Sequence, residues 1–279
     1  MKQIYKSEAG RAEILGQYAA FLSFWPSPFT HHVVSTEFGD TFVIESGNPA
    51  DTPVVLLHGS ASNAAMWLAD AAVLGQMHRV FAVDIIGEPG KSAETRPRMS
   101  SGCYARWLRQ VLDELSINKT AIAGNSMGGW IALDFAIKSP ERVSALVLLA
   151  TSGLYPFRRT FALKMLKSRL FPSSSNLNQS VTGSAAIPEG VLKYLDLIHR
   201  EFIPRPLHAP AFSRNELKRL NMPLLYIGGE NDKLLNTQRS AARLKRFVSQ
   251  ADARILPATA HTIINMGSDI NAFLSSKEV

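Results

Sequence analysis

Aliphatic, aromatic and β-branched residues gather into short runs along this chain, at Val33 to Phe38, Thr41 to Ser46, Val54 to Leu57, Arg79 to Val83, Thr120 to Ala123, Val143 to Leu149, Leu224 to Ile227 and Ala253 to Leu256. Set between clusters of Gly, Pro, Asn and Asp, these runs predict strands. Gly39-Asp40 joins the first two as a hairpin-like pair, and helical patterns separate most of the rest. The stretches PVVLL, SALVLLA and PLLYIGG carry no polar alternation, as strands covered on both faces require. The pattern predicts an α/β fold built on a mostly parallel sheet.

Two segments stand outside this alternation. At the N-terminus Ile14, Leu15, Tyr18, Phe21 and Leu22 recur at helical spacing, which predicts an amphipathic helix packed on the body. Glu8, Arg11 and Glu13 fall where a signal peptide needs an unbroken apolar core, and no run is long enough to span a bilayer. Between the sixth and seventh strands lies a connection far longer than usual, with helical patterns over Phe157 to Phe171 and Val191 to Phe202. The expected organisation is a core of residues 1–153 and 220–279, whose first 30 residues are a helical extension, and a lid or cap at 154–219.

Charge changes this picture in one respect. The net charge is +7, which invites a nucleic-acid reading. Yet residues 154–219 hold eleven basic residues against four acidic ones, so the insertion accounts for the whole excess and marks itself as a separate module. A basic helix there suits anionic substrates or lipid surfaces, while the commoner arrangement buries its apolar stripe on the body and leaves the lysines in water. The lone Cys103 has no partner for an internal disulfide and sits in no cluster of metal-ligand spacing. These features predict a cytoplasmic protein with no metal, no organic cofactor, no nucleic-acid partner and no stable membrane insertion; the oligomeric state stays open.

The candidate chemistry lies in the loops after the strands. They read HGSASN, DIIGEPGKS, GNSMGG, GGENDKLLN and ATAHT, each rich in Gly, Ser, Asn, Asp or His. In a parallel α/β sheet the crevice lies at the carboxyl ends of the strands, where such loops converge. In KTAIAGNSMGGW, Ser126 falls on the turn between a predicted strand and a predicted helix, flanked by Gly124 and Gly128. Small neighbours permit so tight a turn, and the helix that follows aims its free N–H groups and positive dipole end at whatever sits above the serine. Ser126 is therefore a candidate nucleophile.

Taken in order, HGSAS, DIIGEPGKS, GNSMGGW, GGENDKLL and ATAHT resemble the α/β-hydrolase superfamily over essentially the whole chain from the first strand. The resemblance implies an eight-stranded, mostly parallel sheet with helices on both faces and a helical cap after the sixth strand. It implies Ser126 as nucleophile, Asp232 as acid and His261 as base, in the family's chain order. Of the acids in GGENDKLL, Asp232 aligns with the family acid and Glu230 is a bracing or solvated neighbour. Among seven histidines, His261 alone follows the last strand, and the resemblance makes His58 a structural ring in the His58-Gly59 turn. The expected oxyanion donors are the backbone N–H groups of Ser60 and Met127. Met66 and Trp67 are expected in the core. DIIGEPGKS has one residue more between its glycines than the frequent D-x-x-G-x-G-x-S form, and Ala260 stands where glycine often precedes the histidine.

Serine rather than aspartate at the elbow argues against dehalogenase and epoxide hydrolase chemistry. The expected activity is serine hydrolysis of small to medium carboxylic esters through an acyl-enzyme intermediate. Carbon-carbon hydrolysis of meta-cleavage products is the alternative within enzymes, and a ligand-sensing protein that keeps the triad with little turnover is the alternative outside them.

Overall fold

The computed structural model describes residues 3–26, 28–158, 160, 187–205 and 209–277. Its centre is an eight-stranded sheet in the order β1-β2-β4-β3-β5-β6-β7-β8. The strands are β1 (Phe29–Val34), β2 (Thr41–Ser46), β3 (Pro53–Leu57), β4 (Arg79–Val83), β5 (Thr120–Asn125), β6 (Val143–Leu149), β7 (Leu224–Gly229) and β8 (Ala251–Leu256). β2 runs antiparallel to both its neighbours, and every pairing from β4 through β8 is parallel.

Among the described residues the α-helices are α1 (Glu8–Leu22), α2 (Leu68–Leu74), α3 (Cys103–Glu114), α4 (Met127–Lys138), α5 (Glu189–Glu201), the single turn α6 (Arg214–Leu217), α7 (Thr237–Phe247) and α8 (Gly267–Ser275). Alternate residues of each central strand feed opposite layers, because successive side chains of a strand point to opposite faces. Val55 and Leu57 pack with residues of α3, α4 and α7, while Val54 and Leu56 pack with residues of α1, α2, α5 and α8. This two-sided cover explains why the central runs carry no polar alternation.

Seven of the strand expectations fall on their strands within two residues. The first does not: β1 occupies residues 29–34, not Val33 to Phe38. It is an edge strand with mostly exposed side chains, held by backbone pairing from Phe29↔Ser46 to Val34↔Thr41, so burial imposes no pattern on its sequence. The link to β2 is the six-residue stretch 35–40 rather than a two-residue hairpin, turned by Gly39 at φ 100° with its N–H bonded to Thr36 O at 3.0 Å.

The N-terminal helix forms as expected, burying Ile14, Tyr18 and Leu22, with Ser7 capping its first turn. Its partner is not the body alone. α1 packs on α5, whose Tyr194, Leu197 and Ile198 are buried. Residues 4–6 also pair with the end of that helix, through Lys6 N–H to Glu201 O and Ile203 N–H to Ile4 O, both 2.8 Å. The helix expected over Val191 to Phe202 is thus α5, displaced by two residues at its start. The pattern over Phe157 to Phe171 falls mostly outside the described residues.

Candidate active site

Strand order places the site. β3 has β4 on one side and β5 on the other, so the chain leaves these strands in opposite directions and a crevice opens above them. Register sharpens the point: Leu57 lies opposite Gly124, so His58-Gly59 comes level with Asn125-Ser126. Asn125 is also level with Leu149, and Leu149 with Ile227, which brings the ends of β6 and β7 to the same edge.

Ser126 sits between β5 and α4 at φ 49°, ψ −105°, a strained backbone for a residue with a side chain. Tight packing enforces it. A Cβ on Gly128 would lie 2.2 Å from Leu57 O and 2.4 Å from His58 O, and one on Gly124 would lie 2.6 Å from the Gly128 backbone. Small residues are therefore required by the approach of α4 to β3. The Ser126 carbonyl accepts from Trp130 N–H at 3.2 Å, starting the helix. Met127 is the first residue of α4, so its N–H has no helical acceptor.

Ser126 Oγ lies 3.0 Å from His261 Nε2, and His261 Nδ1 lies 2.7 Å from Asp232 Oδ2. All three expected residues are brought together. Asp232 and His261 are buried, 2% and 6% exposed, so their interaction is little weakened by water. Asp232 Oδ1 accepts from the N–H groups of Leu234 at 2.7 Å and Leu235 at 2.9 Å. Asp232 does not cap the following helix; Asn236 does, accepting from Arg239 N–H. Glu230 turns away, its Oε2 accepting from Ala258 N–H at 3.1 Å.

The loop after β3 passes over the serine. A Cβ on Gly59 would stand 3.6 Å from Ser126 Cβ. His58 is fully buried between loops: its Nδ1 lies 2.8 Å from Gly59 O and its Nε2 accepts from Ile85 N–H at 2.9 Å. Burial lowers its pKa to about 4, so this ring is a neutral structural brace near pH 7. Gly59 N–H is directed at Met66 Sδ, 3.4 Å away, which leaves Ser60 as the next N–H along the loop. The Ser60 hydroxyl faces Glu88 Oε2 at 3.2 Å rather than the crevice. Trp67 lies in the core, and Met66 is half-buried against it.

The loop after β4 adds residues that motif reading did not single out. Asp84 is buried and accepts from Tyr18 Oη at 2.9 Å, Ala64 N–H at 2.8 Å and Lys91 N–H at 2.8 Å, tying α1 and the loop after β3 to the sheet. Burial raises its pKa against the lowering by these donors. Glu88, 1% exposed, accepts from Ala61 N–H at 2.7 Å and pairs with Arg205 Nε at 2.8 Å. Its signal in the sequence was the lengthened DIIGEPGKS loop, where an acid lies between the two glycines.

Residues 52–190 match the family model described as alpha/beta hydrolase fold. The chain belongs to that family. It is 29% identical over 265 residues to the protein named uncharacterized carboxylesterase nap of Bacillus subtilis (strain 168), spanning 88% of this chain and 85% of that one. The crystal structure of carboxylesterase CesB (YbfK) from Bacillus subtilis matches with a TM-score of 0.85 at 25% identity, over 96% of this chain and 99% of that one. The crystal structure of naproxen esterase (carboxylesterase NP) from the same species matches with a TM-score of 0.82 at 26% identity, over 99% of both chains. The chain is thus carboxylesterase-like along nearly all its length.

Proposed function

We propose that this ester-hydrolysing enzyme acts on carboxylic esters of small to medium size through Ser126, His261 and Asp232. The observation that carries the reading is the continuous path from Ser126 Oγ through His261 to Asp232, with spacings of 3.0 and 2.7 Å, at a strained strand-to-helix turn. His261 Nε2 takes the serine proton as Oγ attacks the ester carbonyl, and the buried Asp232 stabilises the imidazolium. The N–H groups of Ser60 and Met127 receive the oxyanion, Met127 with the dipole of α4 behind it. Collapse transfers the His261 proton to the leaving alcohol and leaves an acyl group on Ser126. Water, deprotonated by His261, then releases the acid.

Residues 154–219 are read as a cap over this edge. Support comes from α5, whose Tyr194 Oη accepts at 2.7 Å from Nδ2 of Asn63 in the loop after β3. Turnover of p-nitrophenyl acetate, butyrate and octanoate by the wild type, Ser126→Ala and His261→Ala tests the function. Turnover lost in both variants supports it, and the chain-length profile sizes the pocket. A folded wild type without turnover removes the esterase reading.

A further inference from the structure

The Glu88–Arg205 ion pair is among the most deeply buried here, with side chains 0% and 9% exposed. It links two parts of the chain that lie 117 positions apart in the sequence. Arg205 belongs to the stretch that leaves α5, and Glu88 to the loop after β4. One Glu88 oxygen accepts from Arg205 Nε at 2.8 Å. The other accepts from Ala61 N–H at 2.7 Å and from the Ser60 hydroxyl at 3.2 Å. Ala61 holds φ 55°, a conformation its side chain disfavours, so something outside its own backbone must keep it there. The anionic oxygen on its N–H supplies one such constraint, beside the packing of Ala61 against the core.

The surroundings are built for the pair. A Cβ on Gly87, itself at φ 75°, would lie 2.9 Å from Arg205 Nη2 and 2.4 Å from Arg96 Cγ, so glycine admits both arginines. Arg205 Nη2 also donates to Ile86 O at 3.3 Å. Arg96 ties the same stretch down, donating to Gly87 O at 2.8 Å and to Ile203 O at 2.7 Å.

Resting on the esterase reading above, we propose that Glu88, held by Arg205, is a positioning residue that sets the Ser60 N–H for the oxyanion and makes its placement depend on the stretch leaving α5. The carboxylate acts through the Ser60-Ala61 backbone and touches no reacting atom. Breaking one member alone leaves a buried charge unpaired and weakens the fold, whereas a matched apolar pair removes both charges together. The paired variant therefore separates folding from positioning.

The test compares wild type, Ser126→Ala, Glu88→Asp and the double variant Glu88→Leu with Arg205→Met, reading melting temperature, kcat and KM for p-nitrophenyl butyrate, and inhibition by phenylboronic acid. Glu88→Asp keeps the charge and withdraws the acceptor from Ala61. The expected result is a fall in kcat of about tenfold or more with KM within about threefold, and a parallel loss of boronate affinity, since a small misplacement weakens transition-state contacts first. The double variant melts above Glu88→Leu alone, measured beside it, while its kcat stays low. Recovery of kcat to within about threefold of wild type in the double variant overturns the inference alone. Should that variant not fold, a Glu88→Asp kcat within about threefold of wild type overturns it instead. Wild-type protein without ester turnover overturns the esterase reading and this inference with it.

Discussion

His261 Nδ1 lies 2.7 Å from Asp232 Oδ2, while the other oxygen of the same carboxylate accepts from two backbone N–H groups, so Asp232 presents one fixed oxygen to the ring. The contact selects the tautomer with the proton on Nδ1 and leaves Nε2 free to accept from Ser126. An amide in place of the carboxylate reverses this. Asp232→Asn keeps the turn bonds on its oxygen and offers N–H to Nδ1, so the ring carries its proton on Nε2. The expected fall in kcat is about 10²- to 10⁴-fold with the melting temperature nearly kept, checked by steady-state kinetics beside a thermal melt.

Glycine at the elbow is a packing requirement, and the positions differ sharply in what they tolerate. Gly128→Ala drives a methyl group into two backbone oxygens of the β3 loop, whereas Gly16 in α1 has nothing within 4 Å of a built Cβ. Gly128→Ala is expected to lose at least about 3 kcal/mol of stability and most activity. Gly16→Ala is expected to gain about 0.5–1 kcal/mol through helix propensity. Denaturant unfolding of both variants checks the contrast.

Asp70 carries a pH signature. It is buried beneath the start of α8, where its Oδ1 accepts from Gly267 N–H at 2.7 Å. Burial raises its pKa to about 6 from an ordinary 3.8, against the opposing N–H donors of Gly267, Met266 and Asn265. A raised folded-state value favours the protonated folded form, so the contribution is full below about pH 4 and lost as pH rises through 6. The swing is about 3 kcal/mol. Relative to wild type, Asp70→Asn is expected to gain several degrees in melting temperature between pH 4 and pH 7. A difference that stays constant with pH removes this account.

Tyr194 ties α5 to the loop after β3 by accepting from Asn63 Nδ2, which also donates to Pro89 O at 2.8 Å. Tyr194→Phe also removes the long 3.4 Å bond that the hydroxyl donates to Ile14 O, and because Asn63 keeps its second partner the expected cost is only about 1 kcal/mol, roughly 2 °C in melting temperature. A calorimetric scan of the variant measures it.

The central strands were legible in the sequence because burial on both faces leaves a continuous apolar run, as in Ala145 to Leu149. β1 was misplaced because an edge strand needs backbone pairing rather than buried side chains, and Val33 is 63% exposed. Ser126, Asp232 and His261 were legible because each lies on a loop whose small and polar residues interrupt an apolar run. Glu88 and Arg205 were not, since an acid and an arginine separated by more than a hundred residues look like solvated charges until the fold buries them together. The pairing of residues 4–6 with 201–203 is likewise a backbone contact that leaves no pattern in side chains.

Covalent labelling reads out directly whether Ser126 is the nucleophile. The protein is treated with a fluorophosphonate, digested, and its peptides mapped by mass spectrometry. The account predicts a single adduct on Ser126 that abolishes ester turnover, with labelling strongly slowed in His261→Ala. An unlabelled Ser126 in active protein, or an inactivating adduct on another serine such as Ser60 or Ser152, would contradict it.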